Sequence, residues 1–207
     1  MSKPIRRLVT GHDQSGKAIV VSDGAAPMVF TNPARPGYSL TQLWMTDGAP
    51  AVIDVGPDPT DRPVAIEPSA HGTVIRVIEF PPESEETRAF SPEQARAIFA
   101  GMGSKGAATG RSDSRHPLMH RTETIDYAVV IEGGITLVLD DSDVVLNVGD
   151  VVIQRGTNHA WSNRTGKACR MLFVLVDAAL SPEIAASIAA FDAAADGTPT
   201  VFASEKP

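Results

Sequence analysis

At 207 residues, 43% of them hydrophobic and 21% charged, the chain is long enough to bury a substantial core and fits one domain with extensions. The formal net charge of -7 argues against a nucleic-acid partner, which needs a basic face. No stretch approaches the roughly 20 consecutive apolar residues that cross a bilayer, and the start MSKPIRRLVTGHD has no apolar segment behind its basic residues. The single cysteine, Cys169, lies among apolar neighbours in ACRMLFVLV and predicts a buried thiol rather than a nucleophile. Together these features predict a cytoplasmic protein without a membrane partner.

Residues 1–70 read as short β segments, RRLVTG, KAIVVSD and SLTQLWMT, separated by the turn signals DQSG, NPARPG and GPDPTDRP. They are expected to add strands to the main domain rather than fold alone. TVIRVIEF is a further strand. The run SPEQARAIFAGMG predicts a short helix, with Ser91 as N-cap, Pro92 at the first helical position and Glu93 in the first turn. GSKGAATGRSDSRHP, small and polar without periodicity, predicts a mobile surface loop, and residues 101–115 are expected to gate whatever follows.

From Met119 the β signal becomes dense, in TIDYAVVIEGGITLVLDDSDVVLNVGDVVIQRGTNHAWSN and ACRMLFVLVDA. Short β runs divided by Gly-Gly, Asp-Asp-Ser-Asp and Arg-Gly-Thr-Asn suggest a barrel or sandwich of antiparallel strands over residues 71–178. Residues 179–207 hold a second helix, SPEIAASIAAFDAAA, opened by Ser181, Pro182 and Glu183, and a tail, DGTPTVFASEKP, with no evident core role.

Two motifs in this region resemble those of the cupin superfamily. Gly149, His159 and Asn163 match its second motif, G-x5-P-x-G-x2-H-x3-N, with the His-x3-Asn spacing kept; Gln154 or Arg155 stands at the proline position, and the interval from Gly149 to His159 is one residue short. The first motif, G-x5-H-x-H-x3or4-E-x6-G, aligns on Gly133 with Asp126 at the glutamate, Thr122 at the second histidine and His120 at the first. A competing register uses His116 and Glu123 but sets Leu118 at the second histidine and puts Pro117 in a strand, at the cost of a ladder hydrogen bond. The resemblance implies an all-β fold, a cupin-type double-stranded β-helix or jelly-roll barrel, with added N-terminal strands, short flanking helices and homodimer formation.

Strand parity puts His120, Thr122, Thr124, Asp126, Ala128 and Val130 on one face, which ends in small and apolar residues as an inward face should, and Arg121, Glu123, Ile125 and Tyr127 on the other. Inside a barrel, His120, Asp126 and His159 would meet as two imidazoles and a carboxylate, a ligand set suited to iron(II), with manganese, nickel or zinc as alternatives. Glu123 joins them only through a bulge. Glu123 and Asp126 are the candidate catalytic groups for proton transfer, and Arg121, Arg155, Trp161 and Phe173 the candidate substrate contacts. Val130, Trp161, Met171 and Phe173 imply a mostly apolar pocket. The functions that fit are a metal-dependent enzyme acting on a small organic molecule by oxygenase, isomerase or lyase chemistry, or a noncatalytic barrel that binds a small ligand without metal.

Overall fold

The computed structural model describes residues 3–104 and 106–195, and the tail DGTPTVFASEKP lies outside them. The three N-terminal runs form β1 (Arg6–His12), β2 (Ala18–Ala25) and, after a short strand β3 (Met28–Thr31) that the sequence reading did not name, β4 (Ser39–Thr46); TVIRVIEF forms β5 (Thr73–Phe80). The dense β region yields β6 (Thr124–Glu132), β7 (Gly134–Val138), β8 (Asp143–Asn147), β9 (Val151–Arg155), β10 (Ala160–Ser162) and β11 (Cys169–Asp177). Six of these strands make one antiparallel sheet in the order β3-β4-β5-β11-β6-β9, and three more make a second in the order β10-β7-β8. Their apolar faces share one core, Leu40, Ala128 and Phe173 from the large sheet meeting Ile135, Leu137 and Trp161 from the small one. This is the expected antiparallel jelly roll.

The alternation along β6, buried at Thr124, Asp126, Ala128 and Val130 and exposed at Ile125 and Tyr127, follows the period of two that a one-sided strand requires. The N-terminal hairpin behaves differently. β1 and β2 pair only with each other, around a turn in which Asp13 Oδ1 accepts from the Ser15 and Lys17 amides, and every residue of β2 is exposed. Arg7 fastens the hairpin to the body by donating to the Leu43 carbonyl at 3.1 Å and pairing with Asp58.

Two of the three helices matter for the site; the remaining one is the single turn α1 (Glu85–Arg88). The helix α2 (Pro92–Ala100) starts at a capping box in which the Ser91 hydroxyl accepts from the Gln94 amide and the Gln94 side chain accepts from the Ser91 amide. It buries Ala95, Ile98 and Phe99 against the core. The helix α3 (Pro182–Ala194) begins at Ser181 as expected and buries one side chain, Asp192.

The segment expected to be a mobile lid is held in place over part of its length. Thr109 donates its amide to the Met119 carbonyl at 3.2 Å, and the Ala107 carbonyl accepts from the Arg121 amide at 2.9 Å, so residues 107–109 run beside 119–121. Ala107, Thr109 and Arg111 are buried there. Polarity misled the reading because the threonine and arginine spend their hydrogen bonds inside the protein, on Asn158 and Asp192.

Candidate active site

His120 precedes β6, and His159 follows a turn at Gly156, whose φ of 61° is a left-handed conformation that a side chain would strain. A two-way bridge joins them: the His120 amide donates to the His159 carbonyl at 2.8 Å, and the His159 amide donates back at 2.9 Å. Their rings sit with centroids 4.2 Å apart, between Phe99 on one side, 4.7 Å from His120, and Trp161 on the other, 5.6 Å from His159. Trp161 in turn meets Phe173 edge-on at 5.5 Å.

Each imidazole places Nδ1 against a carbonyl, His120 on Leu118 at 3.1 Å and His159 on Thr157 at 2.9 Å. A carbonyl only accepts, so Nδ1 carries the proton and Nε2 keeps its lone pair in the neutral ring. Burial holds both rings neutral, pushing His159 down to about 4 and His120, which also feels His159, well below the ordinary imidazole range.

The two histidines line a cavity of about 80 Å³ together with Asp126, Thr122, Arg76 and Tyr38 on the polar side. Phe173, Trp161 and Leu40 are among its apolar walls. Asp126 is 5% exposed, and burial raises its carboxyl to about 6, against the opposing pull of the Thr124 hydroxyl and Arg76. Among the described residues its Oδ1 has no hydrogen-bond partner. Arg76, 2% exposed, donates from Nη2 to the Ala65 and Ile66 carbonyls, both at 2.9 Å, while its Nε has no partner among the described residues. Burial lowers the guanidinium to about 10, with Tyr38 and Asp126 opposing the shift.

The sequence-predicted residues therefore separate into two groups. His120, Asp126, His159, Trp161 and Phe173 line the cavity, whereas Arg121, Glu123 and Arg155 line a groove on the outer face, beneath α3. Arg121 is buried there and donates to Asp192 Oδ2 at 3.0 Å. Arg155 pairs in register with Ile125, on the outward parity of β6. Val130 and Met171 are core residues rather than cavity walls. Asn163 of the second motif ties backbone together, donating to the Phe80 and Lys167 carbonyls at 2.9 and 2.8 Å. His116, from the competing register, meets Glu83 at 2.5 Å, away from the paired imidazoles. Cys169 is fully buried and its thiol is pushed up to about 11, which makes it inert.

Arg76 and Arg35 are the charged cavity residues that the sequence reading missed. The signal for Arg76 was present: an arginine in the apolar run TVIRVIEF, sharing parity with Val74, Ile78 and Phe80. Arg35 comes from the NPARPG turn and had no such signal.

The donor chemistry suits a metal ion in part. Two neutral Nε2 lone pairs and a carboxylate with an unpartnered oxygen are ligand types of the right kind. However, among the described residues no three His, Cys, Asp or Glu side chains gather closely enough to hold an ion. The paired imidazoles supply two ligands where enzyme zinc centres hold three protein ligands.

Among the described residues no helix is long and apolar enough to cross a membrane. A protein-family model described as "Cupin domain" matches residues 107–175. The chain is 57% identical over 63 residues to "Phomopsin biosynthesis cluster protein C'" of Diaporthe leptostromiformis, a match covering 30% of this chain and 33% of that protein. The alignment thus spans about a third of that relative's length. It is 29% identical over 184 residues to the "Cupin-domain-containing oxidoreductase fogC" of Aspergillus ruber, covering 86% of this chain and 74% of the relative. Among solved structures it is similar to the Schizosaccharomyces pombe Cnp3 cupin domain, with a TM-score of 0.41 and 11% identity over 83% of this chain and 87% of that one. The paired histidines, the jelly roll around them and the family match agree: residues 107–175 of the chain match a cupin domain.

Proposed function

We propose that the chain is a small-molecule enzyme of the cupin type whose substrate carries an anionic oxygen beside a hydroxyl or an acidic C–H, a hydroxy or keto acid being the simplest case. The observation that carries this reading is a pair of unsatisfied atoms, Arg76 Nε and Asp126 Oδ1, on residues that line one cavity. A buried polar atom without a partner costs on the order of 1–3 kcal/mol. A ligand that offers an acceptor to the first and a donor to the second recovers both.

A carboxyl that titrates near 6 is mostly ionised at neutral pH, so Asp126 is the group that takes a proton from the substrate. Arg76 stabilises the negative charge left on the substrate oxygen, in a site where the apolar walls strengthen that interaction. The neutral imidazoles accept at Nε2 and orient the hydroxyl. This is proton transfer of the isomerase or lyase type. Similarity to a cupin-domain-containing oxidoreductase and to a biosynthesis cluster protein supports a small organic substrate. Calorimetric titration with glycolate tests the reading. One site per chain is expected, with affinity reduced tenfold or more in Asp126→Asn and in Arg76→Gln. Equal affinity in all three proteins contradicts it.

The tautomers of the two histidines favour a second reading, in which His120, His159 and Asp126 hold a divalent ion, iron(II), manganese, nickel or zinc. The bound ion would act as a Lewis acid on a substrate oxygen. Asp126 must then close on the imidazoles. Elemental analysis of protein incubated with each of these ions checks it: stoichiometric metal, lost in His120→Ala, His159→Ala and Asp126→Asn but kept in Glu123→Gln, is the expected pattern. Metal-free protein after each incubation contradicts this second reading and leaves the first intact.

A further inference from the structure

The inner cavity has a neighbour. A second cavity, of about 380 Å³, lies between the NPARPG turn and the segment that follows β5, and it shares Arg35, Phe80 and Trp161 with the first. The inner space, about 80 Å³, suits the polar head of a substrate and little more, since sites for drug-sized ligands run to roughly 300–1,000 Å³. Taken with the outer space, the pocket has the size of an organic metabolite site.

The walls of the outer cavity are built to stay open. Pro81, Pro82 and Glu83 form one side, and Glu83 is fastened by His116 at 2.5 Å, by the Ser162 hydroxyl at 2.8 Å and by Arg88 at 3.0 Å. The opposite side is the turn at Pro33, Ala34 and Pro36, stiffened by the Ala34 and Arg35 amides, which donate to the Asn32 side chain and carbonyl at 2.9 Å. Gly37, with φ of 86°, lets this turn close on Pro81, because a Cβ there would sit 3.1 Å from the proline ring.

Charge gives the pocket a direction. Arg35 stands at the neck with its guanidinium 4.5 Å from the Tyr38 ring centroid, and among the described residues it makes no salt bridge. Arg76 lines the inner cavity and not the outer one, while Glu83 and Glu86 line the outer one and not the inner. An anionic head is therefore favoured in the inner cavity over the outer one. The prolines, Phe80 and Trp161 offer apolar surface to whatever trails behind it.

We infer that the outer cavity is the second half of the substrate site, that the substrate is an elongated organic acid whose apolar tail lies there, and that Arg35 at the neck is a specificity-determining residue for the acid head. This rests on the inner cavity being the substrate site. The test measures dissociation constants of the full chain for acetate, butanoate, hexanoate, octanoate and 1-octanol, with the imidazole nitrogen signals of His120 and His159 followed in the same titrations. Once the chain leaves the inner cavity, affinity should rise about fourfold for each methylene buried. Ala34→Trp, which fills the outer cavity from an exposed position, should flatten that rise and leave acetate unchanged. Arg35→Gln should weaken octanoate at least tenfold and leave 1-octanol within twofold. A flat series in the parent protein, or a rise that survives Ala34→Trp, overturns the inference while the inner site stands. Equal loss of octanoate and octanol in Arg35→Gln, or no loss of either, overturns the role of Arg35. Binding of no acid, or tight binding that leaves both imidazoles unmoved, overturns the reading of the inner cavity and this inference with it.

Discussion

Asp192 and Asp126 are both buried carboxylates, 1% and 5% exposed, in opposite surroundings. Asp192 meets a guanidinium at each oxygen, Arg111 at 3.3 Å and Arg121 at 3.0 Å, and Arg111 is further fixed by Asp113 and by the Phe191 ring, 3.6 Å away. Asp126 leaves Oδ1 without a partner among the described residues, and burial raises its carboxyl to about 6. The first closes α3 onto the segment that carries His120; the second faces a cavity and waits for a donor. Burial by itself thus says little about role, and the partners decide. A buried charge with its counter-charges is a fastener, whereas one with an unmet hydrogen bond in a cavity wall is a group for chemistry.

If that contrast holds, Asp192→Ala should produce the largest effect. It leaves two buried guanidinium groups short of their shared counter-charge, and a loss of about 3–5 kcal/mol is expected from urea unfolding at pH 7. A loss under about 1 kcal/mol would mean that α3 is not fastened through this pair. The pH dependence of stability comes next. Two imidazoles with lowered folded values bind protons more readily when unfolded, so their contribution is fully present above about pH 6.5 and is lost as pH falls toward about 4. His159→Gln should remove on the order of 2 kcal/mol of that dependence. An unchanged slope between pH 4.5 and 7 would place His159 in contact with water.

Asp126 should act with the opposite sign. Its folded value, near 6, lies above that of an unfolded aspartate, so its buried charge destabilises the fold as pH rises from about 4 to 6. Asp126→Asn is expected to stabilise the protein at pH 7.5 by on the order of 2 kcal/mol and to have little effect near pH 4. Destabilisation at pH 7.5 would show that the ionised carboxylate is well paired. The smallest effect on binding belongs to Glu123→Gln on the outer groove, which should leave glycolate binding unaltered.

Much of this contrast was legible along one strand. Parity in MHRTETIDY separates His120, Thr122 and Asp126 from Arg121 and Glu123, and the cavity and the outer groove divide them in the same way. The strands and both predicted helices followed from β-branched runs, glycine turns and the Ser-Pro-Glu openings, all of which act over short range. What the sequence did not disclose is long-range. Arg121 is set apart from a substrate by Asp192, 71 positions away, and Arg111 by the same group across 81. The expected mobility of residues 107–111 failed for that reason, since their polar side chains find partners that no local pattern announces. Arg35 entered the cavity wall from a turn whose proline and glycine signals describe the backbone and leave the direction of the side chain open.

The most direct test of the account is a side-chain NMR titration of the parent protein with glycolate, following the imidazole nitrogens of His120 and His159 and the carboxyl carbon of Asp126 together with the backbone amides. The account predicts saturable shifts of these three side chains at one site, with the amides of Ile125, Ile153 and Arg155 around the outer groove unmoved. Shifts at the outer groove with the two imidazoles and Asp126 silent would contradict it.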